Sequence, residues 1–320
     1  MINKINTFGS YLLNGKFTKL LAFSLALIFS FNVGAQDAAE VPAVSGEVAY
    51  ILNTFLFLVC GFLVMFMAAG FCMLEAGQVR SKNTAVICLK NIGLFSIAGL
   101  MYYLVGYNLM YDGVDGGYIG SFSMFDRSSD VDLETGYAAA SDWYFQMVFV
   151  ATTASIVSGA LAERILIWPF FLFTAILTAF IYPIAGSWQW GGGWLSEMGF
   201  SDFAGSTLVH SVGGYAALAG AILLGARDGK YSADGKVNVL GGCSLPMTTL
   251  GVFILWLGWF GFNGGSQLAL GSGADATAVA DIFVNTNLAA AGGVLACMIV
   301  SKATNSHTNI AATLNGAIAG

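Results

Sequence analysis

Apolar residues run along this chain in long uninterrupted stretches. Counting only Asp, Glu, Lys and Arg, the uncharged intervals are Glu47 to Glu75, Lys90 to Asp112, Asp142 to Glu163, Arg164 to Glu197, Asp202 to Arg227, Lys236 to Asp275 and Asp281 to Lys302. Each leaves about 20 residues or more, enough for one helix to cross roughly 30 Å of hydrocarbon. A membrane β-barrel would alternate apolar and polar positions over segments of about ten residues, and these runs do not alternate. The pattern predicts spans over about 48–75, 84–107, 142–162, 165–186, 203–226, 246–268 and 281–301, with an eighth beginning near Asn309.

Composition narrows the class further. Of 320 residues, 57% are hydrophobic and 9% charged, against about 25% charged in soluble domains. This excludes an ordinary soluble enzyme, a disordered chain and a nucleic-acid binder. Glycine is abundant (41) and proline scarce (4), which suits close-packed membrane helices. Cys60, Cys72, Cys88, Cys243 and Cys297 fall in or near the spans. They read as small apolar filler, with neither metal-ligand spacing nor a disulfide framework.

The first 35 residues form a separate pattern. Lys4, Lys16 and Lys19 precede an apolar run from Leu20 to Phe31, followed by Val33-Gly34-Ala35. A basic region, a short apolar region and small residues before a polar boundary read as a cleavable signal peptide, residues 1–35. The alternative is an additional membrane helix, for which twelve apolar residues are short.

With the mature N-terminus outside, the spans alternate. Arg80, Lys82, Lys90, Arg164, Arg227, Lys230, Lys236 and Lys302 then fall on or near the cytoplasmic face, and Arg127 alone is external, as the positive-inside rule expects. The outward segments hold Asp112, Asp115, Asp126, Asp130, Asp132, Glu134, Glu197 and Asp275. Their charge either attracts cations or only reflects topology and solubility, and it accounts for much of the formal net charge of −6.

Few polar side chains lie at membrane depth. His210 is the only ionisable residue between Asp202 and Arg227. Counted from Asp202 it lies about 12 Å into its span, and such a group either lines a pathway or is hydrogen-bonded inside the bundle. His307 falls in a short loop. Asp202 is expected to cap span five. Phe145 and Phe149 are four residues apart on span three, and Phe262 and Ser266 share a face of span six. Trp190 follows span four. These rings and one hydroxyl sit at similar outer depth, either as an interfacial aromatic belt or as a site holding a small cation through cation–π contact and a hydrogen bond. Gly191-Gly192-Gly193 follows no strand, which makes it a poor phosphate loop.

These segments resemble the ammonium transporter family (Amt/Mep/Rh). The resemblance is carried by Ser158-Gly159-Ala160-Leu161-Ala162-Glu163-Arg164, Trp190-Gly191-Gly192-Gly193, Asp202 to His210 and Gly258 to Ser266. Glu75 to Asn83 is similar to the family's first cytoplasmic loop and Gly316 to Gly320 to its eighth span. The match runs in order over roughly 48–320. It implies an all-α polytopic membrane protein of eleven spans, about seven and a half of them present here. It also implies a pseudo-two-fold inverted repeat and a homotrimer with one pore per subunit. Residues 36–320 would be the transmembrane domain, in the inner (plasma) membrane.

By that resemblance Phe149, Trp190 and Ser266 form an external ammonium site. Phe149 and Phe262 are the gate rings, His210 is the first of two pore histidines, and Asp202 is a structural acid near the vestibule. The family's second pore histidine lies in a later span than any present here, and His307 does not take its place. The resemblance further implies transport without cofactor, metal or enzymatic chemistry, and a cytoplasmic regulator of the PII type. An ammonium sensor on the same fold and an Rh-type channel for neutral ammonia are the alternatives. The chain stops at Gly320 within an apolar segment of 12 residues from Asn309, which reads as an interrupted span, because a helix ending in lipid leaves carbonyls unpaired.

Overall fold

The computed structural model describes residues 44–320 apart from 128, 129 and 306, so the expected signal peptide lies outside the described residues. Helices dominate, and among the described residues there is no strand beyond an isolated antiparallel bridge between Tyr231 and Val237. Six helices are long and apolar enough to cross a membrane: α1 (Gly46–Gln78), α2 (Ser81–Tyr111), α4 (Ile167–Ser187), α5 (Ser206–Leu224), α6 (Leu245–Gly265) and α7 (Gly273–Asn305). Between α2 and α4 lies α3 (Ala139–Ala160), and α8 (Ile310–Ala319) follows α7.

Helix α3 is the centre of the bundle. It packs against α1, α2 and α5, and 15 of its 22 residues are buried. Its hydroxyls turn inward onto its own backbone. Thr152 donates to the Val148 carbonyl at 2.8 Å and Ser155 to that of Ala151 at 3.0 Å. Polar residues are thereby tolerated where no water reaches.

The most extensive pairing is between α1 and α6. Small residues permit it. A Cβ on Gly251 would collide with the Leu74 amide nitrogen and stand 2.7 Å from the Gly70 carbonyl oxygen. Serine caps both helices: Ser45 accepts from the Val48 amide and Ser244 from that of Met247, each at 3.3 Å.

Three helices contain π-helical turns: Tyr102–Gly106 in α2, Leu177–Ile181 in α4 and Ser206–Ser211 opening α5. The first two pack against each other.

Several span boundaries lie three or more residues from expectation, and two helix starts show the cause. Helix α7 begins at Gly273, eight residues before the expected 281, because Ser272 and Asp275 cap it reciprocally: the Asp275 amide donates to Ser272 Oγ at 3.1 Å, and Ser272 Oγ to Asp275 Oδ2 at 2.6 Å. Asp275 therefore lies in a first helical turn rather than in a loop. Helix α5 begins at Ser206, later than the expected 203, for a reason given below. Asn309 caps α8 through its side chain, accepting from Ala312 at 3.1 Å.

Loops of opposite character close the two ends of the bundle. At the acidic end, Asn53 ties the stretch before α3 to the stretch before α7, donating to the Gly136 carbonyl at 3.0 Å and accepting from Leu270 at 2.7 Å. At the basic end, Glu163 accepts from the Arg80 amide (2.9 Å), Arg80 Nε (3.0 Å) and Asn83 Nδ2 (2.6 Å), with Arg227 at 3.5 Å.

Candidate functional site

The site is built on α3, α5 and α6 and on the glycine-rich segment after α4. Phe149 on α3 and Phe262 on α6 stack with ring centroids 4.0 Å apart and planes at 25°. Both rings are buried, each 2% exposed. Phe145, one turn before Phe149, extends the stack edge-on at 4.8 Å. Trp190 also meets Phe149, edge-on, 6.0 Å away and at 75°. Rings crossed this way form a corner with two π faces, the shape that holds a small cation.

Ser266 follows Phe262 by one turn and ends α6. Its hydroxyl donates to the Phe262 carbonyl at 2.8 Å. The donor is used on the backbone, so the remaining capacity of the buried hydroxyl is to accept.

Asp202 organises the start of α5. Its Oδ1 accepts from the Gly205 and Ser206 amides at 2.8 and 3.0 Å, and its Oδ2 from those of Thr207 and Leu208, both at 2.8 Å. Four orphan donors of a helix N-terminus are satisfied by one carboxylate. Capping was expected of Asp202, but the N-cap position itself belongs to Gly205, at φ +98°. Only glycine takes that conformation readily, and a Cβ there would stand 2.6 Å from Val209 and 3.2 Å from the Trp190 ring. The Asp202 backbone also holds the tryptophan, since Trp190 Nε1 donates to its carbonyl at 2.7 Å.

This delayed start moves His210. It lies four residues past the first helical residue, about 6 Å in, rather than the 12 Å counted from Asp202. Its ring meets Phe262 edge-on at 5.4 Å, whereas Trp190 meets Phe149. Nδ1 lies 3.1 Å from the Gly205 carbonyl oxygen. A carbonyl only accepts, so this bond places the proton on Nδ1 and leaves Nε2 as the lone-pair nitrogen of the neutral ring. His307 sits apart, its Nδ1 2.8 Å from the Asn305 carbonyl. Trp190, Phe149, Phe262 and His210 thus form one chain of ring contacts, with Ser266 a turn from Phe262.

A family model described as the Ammonium Transporter Family matches residues 55–320. The chain belongs to the ammonium transporter family. An ammonium transporter Amt2 of Archaeoglobus fulgidus is 44% identical over 297 residues, covering 90% of this chain and 60% of that protein. A Synechocystis relative is 43% identical over 298 residues, covering 92% and 67%. A solved structure titled as a sensor Amt protein superposes with a TM-score of 0.80 at 37% identity, over 86% of this chain and 68% of the other. The chain therefore spans about two thirds of the length of these relatives, and is a multi-pass membrane protein of this transporter family.

The family chain also carries ionisable groups that pattern reading passed over. Lys90, counted in the sequence with the surface charges, is 3% exposed. Its Nζ donates to the Ser158 carbonyl at 2.7 Å, sits 3.5 Å from Glu75 Oε2 and lies over the Phe170 ring at 5.2 Å. Glu75 is equally buried and accepts from Ser158 Oγ at 2.8 Å and Asn91 Nδ2 at 3.2 Å. The sequence signal was there: each residue borders an uncharged run. What it lacked was the helix pairing that brings α1, α2 and α3 together.

Proposed function

We propose that the protein moves ammonium across a membrane. The observation that carries the reading is the buried stack of Phe149 on Phe262, with Trp190 against the first ring and His210 against the second. The cation enters at Phe149, Trp190 and Ser266, where two ring faces and a hydroxyl acceptor offset its partial dehydration. Rings 4.0 Å apart leave no gap, so passage requires them to turn. Beyond them an intact ion is costly in an apolar surround. The ammonium gives its proton to Nε2 of His210, ammonia continues, and the proton is relayed through the pore histidines to the far side, which returns His210 to its neutral form and carries the charge. Potassium has no proton to give and is refused.

The remaining features belong to the same reading. Residues 1–35 are a cleaved signal, 36–320 the transmembrane domain, and the acidic end faces outward in the inner membrane. Three copies assemble, and a PII-type regulator meets the basic end.

The solved relative titled as a sensor supports a second reading, in which ammonium binds and the protein signals without carrying flux. The protein made from its natural reading frame and reconstituted in liposomes separates the two. A saturable current after an ammonium pulse, absent with potassium, is expected. Quenching of Trp190 fluorescence by ammonium without current would establish sensing or neutral-gas passage and overturn charge-coupled transport.

A further inference from the structure

Past Phe149, α3 runs toward the basic end. Ser155 and Gly159 follow that ring by six and ten residues, about 9 and 15 Å along the helix. Both line an internal cavity of about 210 Å³, with Leu74 and Gln78 of α1 and Arg227 from the loop after α5. The Arg227 side chain is 29% exposed, so it borders the cavity and the exterior at once and stands at the mouth. The positive-inside rule accounts for cations on this face. It does not account for a guanidinium lining an internal space.

Cations outnumber acids around this mouth. The connections 76–83, 160–166 and 225–232 carry Arg80, Lys82, Arg164, Arg227 and Lys230 against Glu163 and Asp228. Glu163 Oε2 meets Arg227 at 3.5 Å, but its Oε1 is already taken by the Arg80 amide and side chain and by Asn83. One acid thus answers two guanidiniums. Arg164 donates to carbonyls rather than to a carboxylate, those of Gly225 at 2.7 Å and of Ala160. Burial, and then the like charge of Arg227, hold its guanidinium below the ordinary arginine value. Glu75 also borders the cavity, and Lys90 at 3.5 Å offsets its charge. Asp228 is exposed, where water and salt screen it.

We propose that Arg227 is a specificity-determining residue, an electrostatic filter that keeps potassium out of the cavity from the basic side. Its positive charge, with those of Arg80 and Arg164, raises the energy of a metal cation entering there, as an arginine does in other selective pores, and leaves neutral ammonia unaffected. A unit charge about 10 Å away changes the local concentration of a cation about tenfold at the effective dielectric near a protein surface. The transport reading supplies the cavity's place on a route, while the filter rests on the charges around the mouth.

Thiol labelling at the cavity wall tests it on the purified full-length protein. Ser155→Cys supplies the target, and mass spectrometry at position 155 separates it from the native cysteines. Two methanethiosulfonates are compared, one ending in trimethylammonium and one in sulfonate, each normalised to its rate with a free thiol. The anionic reagent should react faster than the cationic one. Adding Arg227→Gln should lower that ratio about tenfold, Arg227→Lys should keep it, and high salt should compress it in the parent. An arginine with a structural role alone would change both rates alike. An unchanged ratio in Arg227→Gln, or no labelling by either reagent, would overturn the proposal. In liposomes, Phe262→Ala with Arg227→Gln should leak more potassium than Phe262→Ala alone, and equal leaks would overturn it as well. Absence of ammonium current from the wild type, with the charge ratio intact, would instead sink the transport reading and leave the filter standing.

Discussion

Asp202 accepts four backbone amides with two oxygens, and so its structural role can be read from stability. Asp202→Asn replaces one acceptor with an NH2 group facing N–H donors. The expected cost is about 1–3 kcal/mol, the penalty for buried groups left unpaired, read as a lowered thermal midpoint in detergent. Phe262→Ala removes half of the 4.0 Å stack. It should destabilise by about 3–5 kcal/mol, and the opened gate should admit a potassium leak, measured in the same liposomes as ammonium current. His210→Ala removes the only imidazole in contact with the stack among the described residues. Selective ammonium current should be lost, and an unchanged ammonium-to-potassium ratio would rule out the histidine as proton acceptor.

Elements place these residues through helix starts and close approaches. The π turn that opens α5 gathers four backbone amides around Asp202 and leaves His210 close to the rings. Residue counting from Asp202 could not register it, because the helix begins only where the carboxylate has captured the amides. Sequence does mark the approach of α1 to α6 as a stretch rich in glycine, but only the packing shows which glycine sits against which backbone. Gly251→Leu should force the helices apart and abolish a monodisperse peak in gel filtration. Gly241→Ala, in the exposed loop before α6 with no atom within 4 Å of its added Cβ, should leave the peak unchanged.

Across the whole molecule, Glu163 joins three connections at the basic end. It sits at φ +64°, a left-handed conformation unusual outside glycine, held there by Arg80, Asn83 and Arg227. Burial pushes its carboxyl upward, but the bonds from the Arg80 amide and side chain and from Asn83 outweigh it and hold the group below the ordinary glutamate value. A depressed carboxylate stabilises the fold above its unfolded value, about 4.3, and that contribution fades as pH falls through the folded value. Glu163→Gln should therefore lower the thermal midpoint at pH 7, with the gap to the wild type closing below about pH 4. A gap that stays constant over that range would show that the carboxylate charge contributes nothing.

The uncharged runs by themselves determined a helical membrane chain and its spans to within a few residues at most ends, because hydrocarbon thickness dictates run length. They also brought Phe149, Trp190, Phe262 and Ser266 to similar outer depth, because residue count along a helix converts directly to distance. Tertiary structure decided what those residues touch. Phe149 and Phe262 are 113 positions apart, and their stacking depends on how α3 and α6 cross. Lys90 reads as a surface charge beside a basic loop, yet it is buried on Glu75, since a charge enters a membrane bundle only when a neighbouring helix supplies its partner. Helix pairing sets that partner, and no periodicity along one strand of sequence records it.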